Sequence, residues 1–329
     1  MTIKDVAARA GTADMTVSRV VNRSGPVSEA VRKRVEAAID DLGYVPNRLA
    51  RGLRSNRTHT IALVVTDVTN PFFTTVARGV EDAASDRDNL VLLCNTDESE
   101  KEELRYLEMI SGQSVDGVLL VPAKTGQAAR ELALHRRLPL VMLDRRVPST
   151  DVTVVRCDSK EGAAGMARYL CGLGHREFAV LAGPVGVPTS DDRVLGFLEV
   201  LEEIGARASV LYGRFSTESG RESVEWAMGM TPRPTALFAL NNFVTIGALQ
   251  ALNEMGIRVP EDVALVGFDD LPPAMVGQPF LTVVAQPAYE MGRRAVESLL
   301  AQIEDPAMAP EEILLPTELI VRRSSGDPI

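Results

Sequence analysis

Apolar positions follow one rhythm up to about residue 60 and another beyond it. In the first stretch they recur at helical spacing. Val6, Ala7 and Ala10 predict a short first helix, Val17, Val20 and Val21 a second, and Val31, Val35, Ala38 and Leu42 a third. Gly11 stands between the first two where a left-handed turn residue is wanted, Ser28 is placed to cap the third, and Gly43 ends it. The valine stripe of the second helix leaves Thr16, Ser18, Arg19 and Asn22 on other faces. Hydroxyls, a guanidinium and an amide suit a polar groove. Helix, tight turn and polar-faced helix together predict a helix-turn-helix whose second helix enters the DNA major groove.

From Thr60 the texture changes to short apolar runs of strand length, at 61–65, 90–94, 117–121 and 140–143. Helical stretches near 72–88, 100–111 and 127–134 separate them. The alternation resumes with runs at 178–181, 209–212, 236–240 and 263–266, interleaved with helices near 160–173, 192–204, 217–229 and 244–255. Buried strands alternating with helices predict a parallel sheet covered on both faces. Two such halves make two doubly wound lobes, and a ligand would sit beyond the strand C-termini, in the cleft between them.

Composition agrees with a globular chain of several domains: 329 residues, 45% hydrophobic and 24% charged. No apolar run approaches the roughly 18 residues that span a bilayer, and the polar start (Thr2, Lys4, Asp5) lacks a signal core, so a cytoplasmic location is expected. Cys94, Cys157 and Cys171 lack metal spacing and read as small buried hydrophobes in a reducing compartment. The net charge of −10 argues at first against a nucleic-acid partner. Its distribution argues the other way, because residues 1–60 carry 11 Lys/Arg against 6 Asp/Glu. A basic head on an acidic body fits a DNA reader with a separate ligand module.

Three linked motifs carry a family resemblance: Thr2-Ile3-Lys4-Asp5-Val6-Ala7, Thr16-Val17-Ser18-Arg19-Val20-Val21-Asn22 and Gly43-Tyr44-Val45-Pro46-Asn47. They resemble the N-terminal signature of the lactose/galactose repressor family. The likeness continues through Asn70-Pro71-Phe72-Phe73, Leu143-Asp144-Arg145, Gly172-Leu173-Gly174-His175, Gly267-Phe268-Asp269-Asp270 and Gln286-Pro287. It implies an N-terminal all-α helix-turn-helix domain with a hinge helix, followed by an α/β periplasmic-binding-protein-like core of two doubly wound parallel-sheet lobes. The implied boundaries are 1–46 for the head, 47–59 for hinge and linker, and 60–329 for the core. Within the core, one lobe would take about 60–157 and 287–318 and the other about 158–286 and 319–329.

By the same resemblance, DNA contacts are expected from Thr2, Ile3, Asp14, Met15, Thr16, Ser18, Arg19, Asn22, Ser28, Tyr44, Asn47, Ala50, Leu53 and Arg54. The hinge, at 46–55, has roughly nine helical residues, below the ~12–15 at which isolated helices become marginal, and Gly52 weakens it by about 1 kcal/mol more. It would order only with DNA and a partner copy, and the leucine matching Leu53 would wedge into a minor-groove step. The head departs from the family at Ala13, which cannot cap the second helix. Asp14 or Thr12 would then serve that end, or Asp14 would accept from a cytosine while Met15 touches a thymine methyl. Arg32, Lys33 and Arg34 read equally as a solvated face or as phosphate contacts.

In the core, Asp144, Asn241 and Asp269 stand at strand ends and Arg193 opens a helix. Carboxylates accepting from hydroxyl pairs, with a forked guanidinium donating, suit a sugar or similar polyol. In the family, residues matching Arg193, Asn241 and Asp269 contact the effector, and those matching Phe72, Phe215 and Gln286 line the cleft. The bland alternative is a buried Arg193–Asp269 ion pair that binds nothing. Asn242 replaces an aspartate common in the family, which removes an acceptor or an inter-lobe partner.

These readings converge on a ligand-responsive transcription regulator, a repressor acting as a homodimer on a near-palindromic operator, with a small polar effector, no metal and no cofactor. The short polar C-terminus lacks a leucine heptad, in keeping with a dimer. Two other classes compete. A sugar-binding protein without DNA function is opposed by the basic head. An enzyme is opposed by scattered histidines (His59, His135, His175) and by the lack of a nucleophile triad or phosphate-binding loop.

Overall fold

The structure, a computed structural model, describes residues 1–22, 24–44, 57–111, 115–148, 150–271 and 280–326, and divides into two compact units, Met1–Thr58 and His59–Ile329. The anticipated hinge at 46–55, with Asn47, Ala50, Leu53 and Arg54, lies outside the described residues, as does the side chain of Asn22.

The first unit holds α1 (Ile3–Ala10), α2 (Asp14–Asn22) and α3 (Glu29–Leu42). Thr2 begins α1 with a reciprocal capping box: its hydroxyl accepts from the Asp5 amide, and the Asp5 carboxylate accepts from the Thr2 amide at 2.7 Å. Gly11 ends α1 at φ 59°, the left-handed conformation its position called for. Val6, Ala7, Ala10, Val17, Val35 and Ala38 form the buried core, with Val20, Val21, Val31 and Leu42 packed around it. Two capping expectations change. The Ala13 carbonyl accepts from the Thr16 and Val17 amides, so Asp14 is the first helical residue rather than the cap. Ser28 does occupy the cap position of α3, but its hydroxyl makes no bond to the helix.

The second unit contains two six-stranded sheets. The N-lobe has β1 (Thr60–Val65), β2 (Leu90–Asn95), β3 (Gly117–Leu120), β4 (Leu140–Leu143), β5 (Thr153–Cys157) and β11 (Glu312–Leu315), all parallel, in the order β11-β5-β4-β3-β1-β2. The C-lobe has β6 (Glu177–Ala182), β7 (Arg207–Tyr212), β8 (Ala236–Ala239), β9 (Ala264–Phe268), β10 (Thr282–Ala285) and β12 (Glu318–Ile320). Their order is β12-β10-β9-β8-β6-β7, and only β12 runs antiparallel.

Helices cover both faces, as continuous apolar strands require. In the N-lobe, α4 (Pro71–Ser85) and α11 (Ala288–Glu304) pack on Ile61, Leu63 and Leu119, while α5 (Glu100–Ser111) and α6 (Gln127–Arg136) pack on the alternate residues Ala62, Val64 and Leu120. In the C-lobe, α7 (Ser159–Gly172) and α8 (Pro188–Ile204) cover Val180 and Phe238, and α9 (Thr217–Met228) and α10 (Asn242–Glu254) cover Ala179, Leu181 and Leu237. The contact of α4 with α11 needs glycine on both sides. A Cβ at Gly79 would lie 2.1 Å from the Tyr289 carbonyl oxygen, and one at Gly292 would lie 2.2 Å from that of Val76.

The chain passes between lobes from β5 to α7, from β10 to α11 and from β11 to β12. The polar run near the C-terminus is part of the C-lobe: Ser324 and Ser325 are fully buried, and Ser324 Oγ accepts from the Thr282 amide at 2.8 Å. All three cysteines are buried and unbridged. Among the described residues no helix is long and apolar enough to cross a membrane.

Candidate functional site

The C-terminal ends of the strands in the two lobes face a cleft of about 610 Å³. Phe72, Asp144, Arg193, Phe215, Asn241, Asp269 and Gln286, singled out from the sequence, all line it.

Asp144 directly follows β4 and Asp269 directly follows β9, each in the left-handed region (φ 65° and 71°). Burial pushes the Asp144 carboxyl up to about 6, against the opposing pull of Arg145 and Arg193. Burial also raises Asp269, while Arg193 and the Gln286 amide hold it back. Gln286 donates to Asp269 Oδ1 at 2.5 Å.

Arg193 lies one turn inside α8, because that helix starts at Pro188 and not near residue 192. Its guanidinium stacks 3.8 Å from the Phe268 ring centroid and donates to the Leu240 carbonyl at 2.7 Å. Arg193 Nη1 and Asp269 Oδ2 are 3.9 Å apart, so the two are charge neighbours without a direct hydrogen bond. Both groups also line the cleft.

Asn241 caps α10, its Oδ1 accepting from the Phe243 amide at 2.9 Å, which leaves Nδ2 as the group able to meet a ligand. Phe72 opens α4 behind the cap Asn70, its ring 5.0 Å from that of Phe73 at 69°. Phe215 forms the opposite wall by lying where residue 183 has no side chain: a Cβ on Gly183 would be 2.1 Å from the Phe215 ring.

Sequence reasoning missed the scaffold beneath Asp144. Arg145 is 1% exposed and donates to both Glu98 oxygens, at 2.7 and 2.5 Å, and to the Pro122 and Ala123 carbonyls. Glu103, buried behind it, accepts from the Ala123 amide at 2.6 Å, and burial pushes its carboxyl up to about 7. Thr66, Thr69, Thr189 and Arg214 also line the cleft without having been anticipated. Thr66, Thr69 and Arg214 sit on loops beyond the strand ends and Thr189 in the first turn of α8, where the period of apolar residues carries no signal.

Four of the buried polar atoms that lack a protein partner belong to cleft residues: Thr66 Oγ1, Asp144 Oδ1, Arg145 Nε and Gln286 Oε1. A fifth, Ser190 Oγ, adjoins Thr189 of the lining. Buried polar groups are normally paired, and each left unpaired costs about 1–3 kcal/mol. A pocket that collects them is built for a polar guest. Its carboxylates and amide oxygen call for hydroxyl-type donors, and its phenylalanines offer apolar faces.

In the head, Asp14 and Met15 are exposed at the start of α2, with Arg19 exposed farther along it, while Thr16 and Ser18 are half-buried. Ile3 and Tyr44 pack against the core, and the Thr2 hydroxyl belongs to the capping box. Arg32, Lys33 and Arg34 are exposed on α3.

Residues 2–47 match the bacterial regulatory proteins of the lacI family, and residues 167–325 match the periplasmic binding protein-like domain. The chain is 34% identical over 329 residues to the ribose operon repressor of Escherichia coli (strain K12), covering 99% of each. Among solved structures, a lac repressor dimer bound to operator and the anti-inducer ONPF superposes with a TM-score of 0.88 at 27% identity, over 99% of each chain. The complex of the transcriptional regulator CelR with cellobiose superposes at 0.75 and 35% identity, over 98% of this chain and 99% of that one.

Proposed function

Since the chain belongs to the lacI family of bacterial regulatory proteins and is a DNA-binding transcriptional regulator, we propose that it is a homodimeric repressor whose operator affinity is set by a sugar-class effector in the inter-lobe cleft. The observation that carries the effector reading is the gathering of partnerless buried polar atoms around that cleft. Arg193 and Asn241 act as donors to ring hydroxyls, Asp144, Asp269 and the Gln286 amide oxygen as acceptors, and Phe72 and Phe215 as apolar walls. Solved structures of similar proteins, a CelR–cellobiose complex and a LacI family transcriptional regulator from Enterococcus faecium with bound ribose, lend the sugar class further support.

The DNA-facing set is that named from the sequence, with Asp14, Met15 and Arg19 exposed on α2. The hinge residues couple cleft to operator, and the protein works in the cytoplasm without catalytic turnover. Coupling follows from linkage: an effector shifts DNA affinity only by its different affinity for the two lobe poses.

Two measurements test the reading. Operator-length duplex should bind with a steep salt dependence, which a solute-binding protein would not show. A thermal-shift screen of sugars, polyols and nucleosides should yield stabilisation by neutral sugars, since a guest preferring the folded state raises its melting point. Stabilisation by nucleosides alone, or chemical turnover of a bound sugar, would remove the sugar-effector assignment.

A further inference from the structure

Two helix N-termini from opposite lobes meet at a pair of buried amides. Asn70 caps α4 in the N-lobe, with Oδ1 accepting from the Phe72 amide at 2.9 Å. Asn242 is the first residue of α10 in the C-lobe, and its Oδ1 accepts from the Phe243 amide at 2.8 Å, sharing that N–H with the cap residue Asn241. These bonds to their own helices fix which end of each amide carries oxygen. Asn242 Nδ2 is therefore directed outward, and it donates to Asn70 Oδ1 at 2.8 Å across 172 residues of sequence. Asn70 is 5% exposed and Asn242 fully buried.

Besides this contact, Arg146 on the N-lobe donates to Asp192 on the C-lobe at 3.1 Å, but the Arg146 side chain is half exposed and water competes for that pair. The amide pair has no such competition while the lobes stay together.

We propose that Asn242 is an inter-lobe positioning residue whose side-chain amide latches the cleft closed on Asn70 before any effector is bound. Its role is asymmetric. Position 70 has only to accept, and position 242 has to donate. An aspartate at 242 keeps the acceptor for the Phe243 amide and suits the positive end of α10, so folding is retained. It has nothing to donate to Asn70 Oδ1, and Asn70 could turn its own amide toward it only by abandoning the cap of α4. An aspartate at 70, in contrast, still caps α4 and still accepts from Asn242. A buried amide bond of this kind biases the closed pose about five- to ten-fold. The latch rests on the proposed function only in that lobe pose sets effector affinity, and it is measured with neither DNA nor effector.

Val68 and Val185 are exposed beside cleft-lining residues of the N- and C-lobe respectively, and the native cysteines are buried. Spin labels on V68C and V185C in the full chain, unfolded and refolded to strip any carried ligand, report the lobe separation by double electron–electron resonance. The parent and the Asn70→Asp chain should give one short, narrow distance distribution. Asn242→Asp and Asn70→Ala should each add a longer population, and combining those two should widen it no further. A parent chain already spread over long distances would overturn the proposal. So would Asn242→Asp matching the parent, Asn70→Asp opening like Asn242→Asp, or additive effects of the two opening variants.

Discussion

Asp144 and Asp269 are counterparts in the two lobes. Each follows the third strand from one edge of its sheet, each has a positive φ, and each donates its amide to the neighbouring strand, Asp144 to Val155 O at 2.9 Å and Asp269 to Val284 O at 2.8 Å. The same backbone device, used twice, turns one carboxylate from each lobe into the cleft, so a guest that donates to both senses how the lobes sit. The two differ in support: Asp269 Oδ1 has Gln286, while Asp144 Oδ1 has no protein partner.

That difference makes Asp144 a source of pH-dependent instability. Its carboxyl titrates near 6 when folded and near the ordinary value of 3.8 when unfolded. Both states are protonated below about 4, so no cost exists there. Between about pH 4 and 6 the unfolded chain gives up the proton while the folded chain keeps it, so the folded state loses up to about 3 kcal/mol, a loss complete once pH exceeds 6. Asp144→Asn should therefore raise the melting temperature by several degrees at pH 7.5 and leave it nearly unchanged at pH 4, while weakening effector binding. Thermal melts at the two pH values, with effector titration, check this.

Arg193 holds the Leu240 carbonyl, approaches Ser159 Oγ at 3.4 Å and covers the Phe268 ring. Lysine cannot reproduce that fork and stack. Arg193→Ala should cost about 3 kcal/mol of core stability, by leaving the Leu240 carbonyl without its donor and the buried Asp269 carboxylate without its neighbouring positive charge. Arg193→Lys should cost less and still abolish the effector response. Denaturant unfolding and ligand-induced thermal shifts separate the two effects.

Gly183→Ala is expected to spare the fold and damage the site. The new methyl would occupy the space of the Phe215 ring, a partly exposed side chain that can move away. Effector affinity should fall about ten-fold or more, as a 1.4 kcal/mol loss of wall contact implies, with the unliganded melting point changing by a few degrees at most. Isothermal titration reads the affinity directly.

In the head, Met15→Ala should relax the base preference at one operator position and leave the salt dependence unchanged, because an apolar side chain neutralises no phosphate. Operator selection from a randomised duplex pool, run on both proteins at two salt concentrations, gives both quantities.

Much of this was legible in the chain, for identifiable reasons. The alternation of Ile61 and Leu63 with Ala62 and Val64 needed a cover on each face, and helices provide both. Strand β5 was not legible, because Thr153 and Arg156 interrupt its apolar run, although Thr153 is buried and accepts from Gln302 at 2.7 Å. Arg145 stood in the sequence only as part of the run Leu143-Asp144-Arg145, and only the fold wraps it in the Pro122 and Ala123 carbonyls. The absence of a carboxylate at 242 was visible in the sequence. Its partner was not, since nothing in local spacing pairs residue 242 with residue 70.

The central claim is that occupancy of the cleft changes grip on DNA. Its most direct test is fluorescence anisotropy of the full-length protein on a selected operator duplex, at fixed salt, with and without a saturating sugar found by thermal shift. The account predicts a change in operator affinity of about 5- to 150-fold, absent from Arg193→Lys. Unchanged operator affinity under saturation of the cleft would contradict it.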